Sequence, residues 1–466
     1  MKRILPLLLA LVAVGCVHFP SYRPLVTATA ARRIVIEDVR VFPATSRAAL
    51  EHRDVVVEDG LIVSVAPTGS AHRPGELVLS GRGRTLLPGL VDVHVHSTFS
   101  CGPPWYLVYP DPEHNLQAHL FAGVTTVLDL GGAIPDLIDM REKIARGEWL
   151  GPRVFYAGPI ICAPDGYPGS LIRDVYGRLA AASTLPKLTR PVESPEEATL
   201  AVREAWAHGA RVIKVVVADI PRGTPRLSEE MLRTIVRQAS QLGMPVAAHI
   251  DTVDDALLAA RVGIRLFAHN VTTGALTAQQ AKELAAAGIV LTPTLVNFER
   301  FDRIAEGKFE PTVMVKASEP PGLLSEFGGE HVHPEDLTPE FLAFGREIQA
   351  HEADRSKNTK LLYDAGVPIV IGTDSNGSVG SFPGGIHDEL ALLVKAGIPP
   401  AEVLLGATSR AARFLEPAPS FGTIEVGKSA DLLLVEGNPL VDITTTTKIV
   451  QVIVRGVPLE RTAPAD

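Results

Sequence analysis

The chain has 466 residues, with 44 Lys and Arg against 53 Asp and Glu, for a formal net charge of −9. That acidic balance, with an aromatic content of only 5%, excludes the basic, base-stacking surface of a nucleic-acid binder. Hydrophobic residues make up 46% of the chain, enough for a large core without a disulfide framework. Its three Cys fall in no Cys-x-x-Cys or Cys/His cluster, which excludes zinc-finger chemistry.

At the N-terminus, Lys2 and Arg3 precede an apolar stretch, Ile4 to Val14, too short to span a bilayer as a stable helix. It ends in Ala13-Val14-Gly15-Cys16, which resembles the lipobox of bacterial lipoproteins. The resemblance implies a signal over residues 1–16, lipidation of Cys16, and a place in the bacterial cell envelope, in the periplasm and tied to a membrane only by that lipid. An ordinary secretory signal with an incidental Cys is the alternative. Residues 17–31 read as a tether. Cys101 and Cys162 are open to two readings, a disulfide or two free packing residues.

From Arg33 the sequence turns to short β-rich runs, including Ile34-Val35-Ile36, Val55-Val56-Val57 and Leu61-Ile62-Val63, with Asp59-Gly60 as a hairpin turn. The C-terminus mirrors them with Leu432 to Val435 and Ile449 to Val454. One small composite β-sandwich over 32–87 and 416–460 is therefore expected. Between these ends, continuous apolar runs alternate with helical patterns: Leu90–His96, Val124–Asp129, Val154–Tyr156, Val212–Val217, Val246–Ile250, Arg265–His269, Ile289–Pro293 and Ile369–Asp374. Such runs mark strands buried on both faces. Ser228 followed by Glu229 and Glu230 opens one helix in the manner of an N-cap. Eight strands alternating with helices predict an α/β fold, a (β/α)8 TIM-type barrel over 88–415. An irregular insert over 297–356 is expected on its rim, after the seventh strand.

The chemistry-bearing residues fall at the strand ends. His94 and His96 alternate with apolar residues in one strand, so both point the same way with Cα atoms about 7 Å apart. Two imidazoles so aimed suit one divalent ion; two hydrogen-bonded polar residues at a strand end are the plainer reading. Lys214 lies in Val212 to Val217, a run expected to be buried. Burial makes an ammonium costly, lowers its pKa and gives access to the neutral amine. His249, His269 and Asp374 each close a strand, where barrels project catalytic groups.

This order, His-x-His on strand one, Lys on four, His on five, His on six and Asp on eight, resembles the binuclear pattern of the amidohydrolase superfamily. Thr85-Leu86-Leu87-Pro88-Gly89-Leu90-Val91-Asp92, Ala122-Gly123-Val124-Thr125-Thr126-Val127, and Gly422 to Asp431 with Gly437-Asn438-Pro439-Leu440 carry the resemblance further. The branch it resembles holds imidazolonepropionase-like enzymes and Xaa-Pro and Xaa-Arg dipeptidases. The resemblance implies two divalent metal ions, zinc by default for a His-rich site. His94, His96 and Asp374 would hold the more buried ion, His249 and His269 the more exposed one. Lys214, carboxylated by CO2 to a carbamate, would bridge them. A hydroxide between the ions would attack a C–N bond, with Asp374 as ligand and catalytic proton shuttle. The implied substrate is a small molecule, an N-acyl amino acid, dipeptide or cyclic amide; nothing bears on oligomeric state.

Two departures touch substrate recognition. Pro164-Asp165-Gly166-Tyr167-Pro168-Gly169 lacks the His that related dipeptidases carry after strand three, and Val127-Leu128-Asp129 lacks their Arg near strand two. Substrate contacts are expected from Tyr106, Tyr109, Asn270, Asn297 and Asn376; Trp105 and the two tyrosines have packing against the insert as their alternative. His331-Val332-His333 repeats the His-x-His text within a polar segment and reads as a loop feature. An esterase or lactonase, a deaminase, or a non-catalytic envelope binding protein are the competing functions. His249-Ile250-Asp251 offers no Glu of the deaminase kind, and a binder would leave gaps among the six positions.

Overall fold

The computed structural model of the protein describes residues 17–18, 22–69, 73–103, 105–328 and 339–463. The signal over 1–16 with Cys16, and the His331/His333 pair, lie outside the described residues. Among the described residues no helix is long and apolar enough to cross a membrane.

The middle of the chain is a barrel of parallel strands. Strand one is Leu90–Val95, strand two Val124–Asp129, strand three Arg153–Tyr156, strand four Ile213–Val216, strand five Val246–His249, strand six Leu266–Ala268 and strand seven Val290–Thr292. Strands three, two and one pair in that order, and strands four to seven pair in sequence. Arg211 N–H donates to the Tyr156 carbonyl at 2.7 Å and joins strands three and four. The eighth position is taken by residues 369–374, an extended segment rather than a regular strand. It pairs with Leu291 of strand seven. It also accepts from Val93 N–H through the Ile371 carbonyl at 2.8 Å, and Asp374 N–H donates to the His94 carbonyl at 2.7 Å. These two bonds close the barrel and seat Asp374 beside His94.

The helices return the chain from each strand to the next. Ser228 caps the helix Glu229–Gln241, its Oγ accepting from Met231 N–H. Apolar residues of strands and helices, such as Ile213, Val215, Phe267, Leu232 and Leu390, merge into one core. The insert after strand seven differs from the irregular segment expected. It is built of helices at Leu295–Ala305, Val313–Lys316, Pro321–Ser325, Pro339–Ala350 and Glu352–Asp364. Its polar and Pro-rich text hid short helices that are stabilised by packing rather than by pattern.

Both chain ends build the β-rich unit. Its hydrogen bonding runs through one nine-stranded sheet, not two. Leu61 bridges to Ser429, so the sheet folds back on itself around Ile34, Val55, Ile62, Leu86, Leu432 and Ile453. The hairpin at Asp59-Gly60 carries positive φ at both residues, 48° and 85°. Part of the span expected as a tether, Val26–Ala28, belongs to this sheet. Val26–Ala28 pairs with Val457–Arg461, Leu25 and Val26 are buried, and Leu25 N–H donates to Gln117 Oε1 at 2.8 Å. Edge pairing and two buried apolar side chains outweigh the low-complexity look of that stretch.

Candidate metal centre

Strand one ends at Val95, and alternation brings His94 and His96 to one side with ring centroids 5.5 Å apart. Strands five and six add His249 and His269, whose rings lie 4.4 Å apart, and His269 is 4.7 Å from His94. Asp374 Oδ1 lies 3.1 Å from His94 Nε2 and 3.2 Å from His96 Nε2. One ligand atom each from His94, His269 and Asp374 fall within 4.8 Å of one another, a candidate metal site. On strand four, Ile213 and Val215 enter the main core, which sends Lys214 to the opposite face. Its Nζ is buried with no hydrogen-bond partner. The structure thus gathers all six residues at one end of the barrel.

The backbone is bent to make this possible. His269, Thr294 and Asp374, at the tips of strands six, seven and eight, have φ of 116°, 49° and 58°, conformations that cost energy and cluster at functional sites. Gly377 is equally required, since a Cβ there would lie 2.2 Å from the His96 ring and 2.7 Å from Asp374 Oδ1.

Hydrogen bonds determine which nitrogen of each ring is free. His96 Nδ1 lies 3.1 Å from the Gly131 carbonyl; a carbonyl only accepts, so Nδ1 carries the proton and Nε2 the lone pair. Thr294 Oγ1 donates its single proton to the Pro293 carbonyl at 2.8 Å, so it accepts from His269 Nδ1 at 2.7 Å. His269 Nε2 is then a lone-pair donor too. Lone pairs of His96 Nε2 and Asp374 Oδ1 face each other at 3.2 Å, an arrangement that calls for positive charge between them. Both ring nitrogens of His94 are buried; Nδ1 has no partner and Nε2 faces only Asp374 Oδ1. The donor set fits divalent cations.

Electrostatics agree. Burial, assisted by Lys214, pushes His94 down to about 3, and burial holds His249 and His269 well below the usual imidazole value. Burial lowers Lys214 to about 7, with Asp374 opposing it. Burial pushes Asp374 upward, but the His94, His96 and His269 imidazoles outweigh it and hold the carboxyl well below its ordinary value. Burial opposes a charge on His96, but the hydrogen bond and proximity to Asp374 outweigh it and raise this one imidazole above its usual value. One ionised carboxylate thus sits among imidazoles of unequal proton affinity.

The expected substrate contacts fare unevenly. Asn297 reaches the centre, its Nδ2 donating to Asp374 Oδ2 at 2.9 Å. Asn270 does not serve as an open pocket group. It is fully buried, donates to Arg355 O and Thr359 Oγ1, each at 2.7 Å, and accepts from Val271 N–H, which ties the strand-six loop to the helix Glu352–Asp364. Asn376 commits its Nδ2 to Asn115 Oδ1 at 3.2 Å, while its Oδ1 is buried without a partner. Tyr106 stacks on His18 at 3.6 Å and packs with Trp105, Ile304 and Phe327 against the insert. Tyr109 is 57% exposed. Cys101 and Cys162 are both buried free thiols. Sequence reasoning missed Thr294, which no local pattern marks. It also passed over Tyr167 as a ring at the site: its centroid lies 4.5 Å from that of His249. Asp129 accepts from Ser97 N–H and Gly131 N–H at 2.7 and 3.0 Å and so holds the loop that orients His96.

A sequence profile of the amidohydrolase family matches residues 85–459, and the chain belongs to that family. It is a hydrolase acting on C–N bonds, of a family that binds divalent metals. It is 26% identical over 391 residues to the ochratoxinase of Aspergillus niger, spanning 77% of this chain and 71% of that one. It is 25% identical over 422 residues to the imidazolonepropionase of Geobacillus kaustophilus, spanning 83% and 84%. Among solved structures it is similar to a prolidase complexed with N-methylphosphonate-L-proline, with TM-score 0.74, 25% identity, and coverage of 92% of this chain and 100% of that one.

Proposed function

We propose that this protein is a binuclear hydrolase that cleaves the amide of an N-acyl amino acid or dipeptide. His94, His96 and Asp374 would hold one divalent ion, His249 and His269 a second, with zinc the metal the His-rich set favours. The observation that carries the reading is Lys214, 2% exposed, without a partner, among four imidazoles and a carboxylate. An amine lowered to about 7 is partly neutral at physiological pH. Its lone pair can bond to the carbon of CO2 with loss of one proton, which turns a misfit cation into an anionic two-oxygen donor. Bound ions would supply polarisation of the substrate carbonyl and a more acidic water.

The side chains do the rest. His96 and His269 are held in one tautomer by Gly131 and Thr294. Asp374 Oδ2, steadied by Asn297, takes the proton of the attacking water and returns it to the departing amine nitrogen. Support for the substrate class comes from the likeness to a prolidase and to an ochratoxinase. The test is a panel of dipeptides and N-acyl amino acids with metal-loaded protein and the Asp374→Asn variant. Carboxylate and amine release by the parent, lost in the variant, is expected. Equal turnover by both would remove Asp374 from the reaction, and ammonia release would point to deamination instead.

We also propose, on the Cys16 motif alone, a lipid anchor in the bacterial envelope. Labelled fatty acid incorporation abolished by Cys16→Ser is the expected result; unchanged labelling would reject it.

A further inference from the structure

Tyr167 stands over the metal centre with its hydroxyl unused. It lies in the loop between the strand Ile160–Cys162 and the helix Gly169–Leu188. That loop is clamped. Gly166 N–H donates to Ala163 O at 3.1 Å, and Ser170 Oγ donates to Ile220 O at 2.6 Å. Gly166 approaches the following barrel loop so closely that a Cβ would sit 2.3 Å from the Pro225 carbonyl oxygen. The loops after strands three and four are therefore packed directly against each other. The Tyr167 ring packs beside Phe99 and Ile172 on Ile160, Cys162 and Val216, and its other neighbour is the His249 imidazole at 4.5 Å.

The ring is thus fixed, yet the hydroxyl makes no hydrogen bond to any described residue. The residue is half-buried, so a packed ring beside His249 presents a hydroxyl with no protein partner that is open to a ligand entering the site. A phenol keeps its proton at neutral pH, which makes this hydroxyl a donor seeking an acceptor. Two acceptors are available on an amide substrate, its carbonyl oxygen and any carboxylate. A carboxylate would look for a cation. The guanidinium on the neighbouring loop, Arg222, is already engaged by Asp251, Thr273, Asp219 and Glu347. Tyr167 instead abuts His249, a residue of the hydrolytic centre itself.

We propose that the Tyr167 hydroxyl is a catalytic hydrogen-bond donor to the carbonyl oxygen of the scissile amide, binding it more strongly as that oxygen gains negative charge. The inference rests on the hydrolytic reading above and adds the group that recognises the oxygen. No proton changes owner at Tyr167; the water proton still travels by Asp374.

Tyr167→Phe removes one oxygen and leaves the packed ring. On whichever amide the wild type hydrolyses, kcat is expected to fall roughly 100-fold, in the range seen when one such donor is deleted, with KM within about threefold. Metal content and Tm are expected to match the wild type, which separates this loss from damage to the centre. A kcat within twofold of wild type overturns the proposal, and so does a rise in KM alone. If the wild type cleaves no amide, the hydrolytic reading fails but Tyr167 is still decided. A phosphonamidate analogue, tetrahedral and anionic at the reacting position, is titrated calorimetrically against both forms beside the planar amide. Selective loss of the tetrahedral ligand in Tyr167→Phe supports the donor role; equal affinities refute it.

Discussion

Replacing Thr294 by Val removes one hydroxyl while preserving volume and β-branching, so the left-handed backbone at φ 49° is equally strained before and after. The hydroxyl's acceptor function is what disappears. In the wild type, Oγ1 spends its proton on Pro293 O at 2.8 Å and receives His269 Nδ1–H at 2.7 Å. In the variant one of two things follows. Either Nδ1–H remains buried and unpaired, at a cost of about 1–3 kcal/mol, or the proton moves to Nε2 and the ligand lone pair is lost. Removing such an outer hydrogen bond typically lowers metal affinity about 10–100-fold, or about 1.4–2.8 kcal/mol at about 1.4 kcal/mol per factor of ten. Zinc titrations in chelator-buffered solution are expected to show that rise in Kd for Thr294→Val and little change for Thr294→Ser, which keeps the hydroxyl. Identical zinc affinity in wild type and Val variant would refute the tautomer argument.

Four other outcomes are expected. Asp374→Asn lowers kcat about 10²–10⁴-fold, the contribution of a positioned proton carrier, measured by single-substrate kinetics on metal-loaded protein. Asn297→Ala frees Asp374 Oδ2 and is expected to cost about 1.5–3 kcal/mol of a charge-assisted bond, read as a drop in kcat rather than in metal content. Lys214→Ala lowers bound metal from two ions toward one by elemental analysis, and added short-chain carboxylate restores part of the activity; no response to carboxylate would argue against a carbamate. Glu389, buried and pushed up to about 8, keeps its proton in the folded state where the unfolded chain has lost it, above its ordinary value of about 4.3. Stability should therefore fall as pH rises through that window, by up to about 1.4 kcal/mol per pH unit. Glu389→Gln, which still accepts from Val296 N–H, should flatten the thermal denaturation profile there, and a wild-type profile already flat would contradict the assignment.

Much of the centre is legible in one dimension because its rules are local. Period-two alternation puts His94 and His96 on one side of a strand whatever the rest of the chain does. An apolar run around Lys214 announces its burial, and His249, His269 and Asp374 are marked by standing where such runs stop. The hairpin at Asp59-Gly60 and the cap at Ser228 follow from backbone preferences of single residues. None of these needs a distant partner.

Other features depend on closure. Asp374 meets His94 only because the segment 369–374 hydrogen-bonds between strands seven and one. The free nitrogen of His269 is decided by Thr294, 25 residues on, and the strand at Val26–Ala28 exists because Val457–Arg461 offers it an edge. Asn270, Asn297 and Asn376 are indistinguishable as text. Tertiary packing alone sends the first to a helix, the second to Asp374 and the third to Asn115. A polar side chain's partner lies across the fold, at a distance that no periodicity encodes. The sequence by itself determined the inventory of ligands and the strands that carry them; the folded barrel decided their tautomers, their second neighbours and the place of Tyr167.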